Sequence, residues 1–412
     1  MKMLLVNLPF LEVKNGELWS GTNAGSCWPY SVLGHNTLVP FPFFMGWSAS
    51  YCRAHGIDTD IYDGVARHDT TLDLAEAFIM QQNPDILVLE LNSHMLENGI
   101  AFARQIKRKN GSCKIVLTGP AMHAYAENIL ERVLEVDHIV SGEYDLALLK
   151  IARGDIRRII KHEYVDNLDA IDGVPGWWLP YRDSSIMGAY CDPSMVHTPI
   201  QIQVNTSRGC FYQCTYCSWP ATMYRRRRAR SAPAVLAEIR EAIRVAPSPV
   251  QSIFFDDEMF NAGDPKRLAE LSAGLKELRI PWSFMGRIDT STKDQIRMFV
   301  EAGCVGMRFG IETFHQPSLD AVRKKLDAGK SLDNCRWILG NFSGIQVRLL
   351  MMTALPESTP ETHSQDREFA ESLKDMGEKN GNVVDLQWSA CQVLPGTELW
   401  NVTYGKGFNG HA

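Results

Sequence analysis

The stretch Asp85–Leu91 (Asp-Ile-Leu-Val-Leu-Glu-Leu) constrains the fold more than any other, because it is apolar almost without a break over the length of a strand. A strand with no polar face belongs inside a sheet covered on both sides, and such sheets are parallel, with helices returning the chain. The flanking sequence keeps that rhythm. Further strands are predicted at Lys2–Leu8, Asp58–Tyr62, Lys114–Thr118 and His138–Val140. Helices are predicted at Phe43–His55, Thr71–Gln82, Gly99–Lys109 and Glu127–Val136. Residues 1–150 therefore read as an α/β unit, a Rossmann-like doubly wound parallel sheet that binds ligands at the carboxyl ends of its strands.

An insertion from Glu12 to Pro40, rich in Gly, Asn, Trp and Pro, is too long for an ordinary connection and is expected to be a lid or a packing surface. Residues 151–198 lack a clear period and are expected to connect two domains. From Pro199 the strand–helix rhythm resumes. Strands are predicted at 200–206, 251–256, 282–286, 305–311, 345–353 and 384–393, with helices at Ala232–Val245, Pro265–Glu277, Lys293–Ala302 and Pro360–Met376. Ser231 suits the N-cap of the first of these helices and Pro233 its first turn. Six βα units over 199–401 predict a partial, TIM-like (β/α)6 barrel followed by a short tail, 402–412.

Length and composition exclude some classes. A chain of 412 residues suits two or three domains, and 45% hydrophobic with 22% charged residues is ordinary for a globular protein. A net charge of −6 argues against nucleic acid as a partner. The opening Met-Lys-Met-Leu-Leu-Val-Asn-Leu-Pro fits a buried strand better than a leader, and no apolar run approaches the ~20 residues of a membrane span. The expected location is cytoplasmic. Seven of the ten cysteines are scattered singly, as buried thiols are in a reducing compartment.

The other three stand together in Asn205-Thr-Ser-Arg-Gly-Cys-Phe-Tyr-Gln-Cys-Thr-Tyr-Cys-Ser-Trp-Pro, just after a predicted strand. Thiolates hold iron–sulfur clusters, and four would saturate a cubane. Cys210, Cys214 and Cys217 would leave one iron open, as a catalytic metal keeps a vacant position. The competing structure is a zinc site completed by a remote His. Structural zinc usually arrives with a second paired knuckle, and none is present in the sequence.

The C-x3-C-x2-C spacing, with Tyr216 before the last cysteine, resembles the signature of the radical S-adenosylmethionine (radical SAM) enzymes. Ile253-Phe-Phe-Asp-Asp-Glu-Met-Phe is similar to the family's second-strand segment, and Gly303-Cys-Val-Gly-Met-Arg-Phe-Gly-Ile-Glu312 to its fourth. Pro395-Gly-Thr-Glu-Leu matches the usual ending, whereas Ala354-Leu-Pro-Glu-Ser-Thr departs from the family's Gly-Leu-Pro-Gly-Glu-Thr. The resemblance implies a [4Fe-4S] cluster on the three cysteines that passes an electron into S-adenosylmethionine (SAM) and releases a 5′-deoxyadenosyl radical. It also implies SAM contacts from Tyr216 and Glu312 and an external electron donor of flavodoxin or ferredoxin type. Asp256 and Asp257, at a strand end, could orient ribose or substrate, or could cap a helix. Arg287 could meet the methionine carboxylate of SAM or pair with Asp289. The run Arg225-Arg-Arg-Arg-Ala-Arg230 could contact phosphate, although a solvated loop entering a helix is the simpler reading.

Phe41-Pro-Phe-Phe-Met-Gly-Trp, Pro84-Asp-Ile-Leu-Val, Thr118-Gly-Pro and Ser141-Gly-Glu-Tyr-Asp resemble the cobalamin-binding domain that precedes many radical SAM modules, and Trp219-Pro-Ala-Thr-Met-Tyr resembles that cobalamin-dependent branch. The implied cobalamin contacts are Asn92, Ser93, His94, Gly119, Pro120, His123, Gly142 and Glu143, in the loops Asn92–Met95, Gly119–His123 and Gly142–Asp145. The Asp-x-His-x-x-Gly motif that ligates cobalt elsewhere is absent, and His94, His123 and His138 suit polar loop or helix positions better than ligation.

These resemblances imply a cobalamin-dependent radical SAM methyltransferase acting on an unactivated carbon. A cobalamin-binding radical SAM enzyme of rearrangement, cyclisation or oxidation is the first alternative. A non-catalytic iron–sulfur or zinc protein binding RNA is the second. The substrate, a small molecule or a peptide, would be selected by the Glu12–Pro40 insertion, residues 173–198 and the barrel mouth.

Overall fold

The computed structural model describes residues 1–14, 17–21, 32–33, 39–161, 163–172, 186–190, 200–218 and 226–405. Much of the Glu12–Pro40 insertion, residues 173–185 and 191–199, the Trp219–Tyr224 segment, Arg225 and the tail beyond 405 lie outside the described residues.

The first half of the chain contains strands β1 (Lys2–Asn7), β2 (Phe10–Lys14), β3 (Glu17–Gly21), β4 (Val32–Leu33), β5 (Asp58–Asp63), β6 (Ile86–Glu90), β7 (Lys114–Thr118), β8 (His138–Ser141) and β9 (Ile159–Lys161). Six of them form a parallel sheet in the order β5-β1-β6-β7-β8-β9. Every residue of β6 is buried, as its unbroken apolar sequence requires. Leu87 and Leu89 pack on one face with Ile100, Ala103 and Ile129, whereas Ile86 and Val88 pack on the other with Met45, Ala49 and Leu148. Helices thus cover both faces. The order reverses at β1, which makes the carboxyl ends of β1 and β6 the switch point at which such sheets bind ligands.

Two expectations are corrected here. The helix predicted at Glu127–Val136 runs Met122–Arg132. It begins directly after Gly119-Pro120, and Val133 has already left helical geometry. Ile159–Lys161, assigned to the connection, is the edge strand of the first sheet, too short and too charged to show strand periodicity. The described parts of the insertion form an antiparallel sheet, β2-β3-β4.

The second half contains β10 (Gln201–Val204), β11 (Ser207–Arg208), β12 (Arg228–Ala229), β13 (Ser252–Phe255), β14 (Trp282–Gly286), β15 (Cys304–Glu312), β16 (Gln346–Thr353) and β17 (Val383–Ala390). The order β10-β13-β14-β15-β16-β17 is parallel throughout and follows the chain, while β10 and β17 do not pair. This is the predicted six-unit, unclosed barrel. Met307, Phe309 and Ile311 of β15 and Val347, Leu349 and Met351 of β16 pack into the core with the outer helices. The alternate residues, Gly310, Glu312, Leu350 and Met352, line a cavity. The Ala232–Val245 helix starts as expected, with Ser231 Oγ accepting from the Ala234 amide and Pro233 in the first turn.

The two sheets are tied by a turn of 3-10 helix, Met187–Tyr190. Tyr190 donates its hydroxyl to Asp63 at the end of β5 (2.8 Å), and its carbonyl accepts from Gln203 of β10 (2.5 Å). No helix among the described residues is long and apolar enough to cross a membrane.

Candidate active site

At the carboxyl end of the second sheet lies a cavity of about 260 Å³. Cys210, Cys214 and Cys217 line it together, on the loop that follows β10 and β11. None of the three is in a disulfide. The Tyr212 amide donates to Cys210 Sγ (3.4 Å), and Met259 Sδ lies 4.0 Å from the same sulfur. Burial pushes the free Cys210 thiol up to about 11. Among the described residues no three His, Cys, Asp or Glu side chains gather round a single-ion position.

Around the thiols the cavity is apolar, with Met259, Met285, Leu350, Met352 and Leu394 in its wall. Its charged groups are few and specific. Glu312 ends β15 at a register shift, with φ +66°, a left-handed conformation that a non-glycine residue adopts only under constraint. Its Oε1 accepts from Lys324 Nζ at 2.6 Å, and both residues are buried. Lys324 sits between Arg323 and Lys325, which also have positive φ (53° and 52°), so strained backbone on each side presents the ammonium to the cavity. Burial disfavours the charged lysine, but Glu312 and Cys214 outweigh it and raise its pKa. Burial, then Glu312, holds the Tyr216 phenol well above its usual range.

Arg287 lines the cavity yet is committed elsewhere. It grips Asp289 through two bonds (2.9 and 2.8 Å), donates to the Lys324 and Lys325 carbonyls (3.0 Å each) and stacks on Tyr212 at 3.7 Å. The ion-pair reading of Arg287 is thus the one its geometry supports. Asp256 does not line the cavity, and burial followed by Glu258 and Asp257 raises its pKa well above the carboxylate range. Asp257 caps no helix. It accepts from the Thr206 amide and hydroxyl (2.9 Å each) and from the Ser207 hydroxyl, holding the root of the cysteine loop.

Two cavity residues escaped the sequence reading. Glu258 carries a buried Oε2 with no hydrogen-bond partner, and burial, then Asp257, pushes its pKa up to about 8. It belongs to the quoted second-strand segment, where the adjacent aspartates drew attention away from it. Lys324 gave no signal, since Arg-Lys-Lys in a polar stretch resembles a solvated turn.

The basic run departs from its expected readings at two positions. Arg228 and Arg230 are buried, and Arg226 pairs with Asp166 at 2.8 Å. Arg228 reaches Glu143, and Arg230 reaches Glu238. Arg226 stays exposed and Arg227 half-buried, so the solvated-loop reading holds where the described part of the run begins and fails at Arg228 and Arg230.

In the first sheet, Asn92, Ser93 and His94 follow the carboxyl end of β6, and Asn92 Oδ1 accepts from the His94 and Met95 amides (3.1 and 3.0 Å). Gly119 has φ +102°, and a Cβ there would lie 2.6 Å from the Leu91 carbonyl oxygen. Its glycine is therefore required by a neighbouring strand. Pro120 is half-buried and His123 exposed, and Gly142 turns the chain out of β8 at φ +94°. Glu143 is fully committed to Arg208 (3.0 Å) and Arg228, so its carboxylate serves an ion pair and not an open face. His138 binds the Arg157 carbonyl (2.7 Å) at the opposite, amino end of β8. Thr118 and Ser141, the last residues of β7 and β8, each bury a hydroxyl without a hydrogen-bond partner.

Residues 204–370 match the model of the Radical SAM superfamily and are a radical SAM domain. Among curated proteins, the chain is 24% identical over 377 residues to an uncharacterized methyltransferase of Pyrococcus horikoshii, across 87% of this chain and 77% of that protein. It is also 24% identical to the ribosomal protein uS12 methylthiotransferase RimO of Dictyoglomus thermophilum, across 76% of this chain and 69% of that one. Among solved structures it shares the fold of OxsB, a cobalamin-dependent SAM radical enzyme solved with aqua-cobalamin and SAM bound, at a TM-score of 0.69 and 17% identity. That match covers 98% of this chain but 60% of OxsB. The radical SAM methyltransferase TsrM of Kitasatospora setae matches at a TM-score of 0.65 and 13% identity, across 97% of this chain and 74% of TsrM.

Proposed function

We propose that this chain is a cobalamin-dependent radical SAM methyltransferase in which Cys210, Cys214 and Cys217 hold a [4Fe-4S] cluster. The observation that carries the proposal is one cavity containing three thiols, a carboxyl group with one buried oxygen unbonded and a carboxylate–ammonium pair in an apolar wall. SAM carries an ammonium, a carboxylate and a sulfonium, and so bears a net positive charge. Glu258, with one carboxyl oxygen unbonded, suits its ammonium, and the Lys324–Glu312 pair suits the carboxylate and the groups beside it. The methionine and leucine wall excludes water, which preserves a reactive radical until substrate meets it. With its cofactors bound, the site would supply a 5′-deoxyadenosyl radical from the cluster and SAM, and a methyl group from cobalamin.

Support for cobalamin in the first sheet is the pair of orphaned hydroxyls, Thr118 and Ser141, at the strand ends nearest the expected loops. A buried hydroxyl left unbonded costs about 1–3 kcal/mol, which a ligand's polar edge would recover. The unit boundaries follow the two sheets, residues 1–150 extended by β9 and residues 199–401, with a flavodoxin- or ferredoxin-type donor supplying electrons.

Product analysis tests the chemistry. S-adenosylhomocysteine together with 5′-deoxyadenosine supports methylation. 5′-Deoxyadenosine alone supports the non-methylating alternative. The similarity to two RimO proteins favours one further reading, transfer of a methylthio group, which would add sulfur to the product mass.

A further inference from the structure

The cysteine loop is rooted in both sheets at once. On the barrel side Asp257 fixes Thr206 and Ser207. One residue further on, Arg208 turns to the first sheet: its Nη1 lies 3.0 Å from Glu143 Oε2 and 2.8 Å from Asp145 Oδ2, and its guanidinium stacks on Trp47 at 3.9 Å. Arg208, Glu143 and Asp145 are all within 2% of full burial. Arg208 faces Arg228 across the β11–β12 ribbon, and both reach the same Glu143. Gly209, with φ +84°, then turns the chain directly into Cys210. Glu143 lies in the turn that leaves β8, whose last residue, Ser141, buries an unbonded hydroxyl, and Asp145 is the first residue of the helix that follows, Asp145–Ala152.

Stability alone does not call for this arrangement, because buried ion pairs generally do no better than apolar packing of the same volume. A charge network does impose one register, and here the register is that of the cluster loop. We propose that Arg208 is a positioning residue that sets the cluster loop from the first sheet, so that a ligand on the β8 loop alters the cluster's environment. The second half of this statement rests on the cobalamin reading. Arg208 touches no reacting atom. It acts through Gly209 and Cys210 on the cluster side, and through Glu143 and Asp145 on the other.

The test uses full-length protein with a reconstituted cluster, in wild-type form and as Arg208→Lys and Glu143→Gln. Bathophenanthroline strips iron from the oxidised cluster, with and without saturating hydroxocobalamin, and the reduced cluster is recorded by EPR. Without cobalamin, both variants are expected to reconstitute to wild-type iron content, lose iron about tenfold faster, as loss of an outer-shell contact does, and show altered g-values. With cobalamin, the wild type is expected to lose iron more slowly, and the variants to bind cobalamin by absorbance without that slowing. Wild-type release rates and an unchanged EPR signal in both variants overturn the proposal. Equal protection in variants and wild type also overturns it, since simple shielding by bound cobalamin would explain that result. Glu143→Gln keeps the shape of the carboxylate and carries the test if Arg208→Lys does not fold. Collapse of both folds assigns a purely structural role and overturns the proposal as well. If the wild type binds no hydroxocobalamin, the cobalamin reading falls, while the cobalamin-free comparison still decides the positioning role.

Discussion

Replacing Gly310 by alanine separates the candidate SAM site from the fold around it. A Cβ at this position would lie 2.8 Å from Glu312 Oε1 and 3.1 Å from Lys324 Nζ. Both are the free ends of flexible side chains, so the backbone need not move and global stability should fall by no more than the roughly 1.5–3 kcal/mol that the charged hydrogen bond contributes. The Glu312–Lys324 pair cannot keep its 2.6 Å geometry, however. A hydrogen bond involving a charged group contributes roughly 1.5–3 kcal/mol. Misplacing it should therefore weaken SAM binding about 10- to 100-fold, at 1.4 kcal/mol per factor of ten. Equilibrium dialysis of SAM against anaerobically reconstituted Gly310→Ala protein, with a thermal melt in parallel, reads both quantities. Unchanged affinity, or a large loss of stability with normal affinity, would refute the reasoning.

Other consequences follow from the same geometry. Glu258, pushed up to about 8, is mostly protonated at pH 7, and a bound cation favours its charged form, so SAM affinity should rise between pH 6.5 and 8.5 and level off above that. Glu258→Gln should flatten the profile; an unaltered pH dependence in that variant would exclude Glu258 as the cause. Ala354 stands at φ +58°, where the resembling family has glycine, and Ala354→Gly should stabilise the protein by about 1 kcal/mol in denaturant melts. Gly119→Ala should destabilise by about 2 kcal/mol or more, because the new methyl meets backbone at 2.6 Å and the φ of +102° disfavours it; a neutral change would show that β6 and β7 can move apart.

The parts of this fold that were legible in the sequence are those whose burial is complete. β6, buried along its whole length, has the only composition such a strand can have, and β14, β15 and β16 fall within a residue of their expected bounds. β9 was hidden because an edge strand of three residues ending in lysine carries no two-sided apolar signal. The cysteines were legible because their spacing is local. The rest of the site is assembled across distant segments: Lys324 meets Glu312 only because β15 bulges and the following turn takes two left-handed residues. Asp257 and the arginine run misled for the same reason. Their partners, Thr206 for the first and Glu143 for Arg228, lie 51 and 85 residues away, beyond any periodicity argument.

The central claim is that Cys210, Cys214 and Cys217 hold a cluster that cleaves SAM reductively. Its most direct test is to reconstitute the full chain anaerobically with iron and sulfide, reduce it in the presence of SAM, and quantify 5′-deoxyadenosine against bound iron, beside Cys214→Ala. The wild type should bind iron at cluster stoichiometry and form 5′-deoxyadenosine, and the variant should do neither. Zinc in place of iron, or an assembled cluster that leaves SAM intact, would contradict the claim.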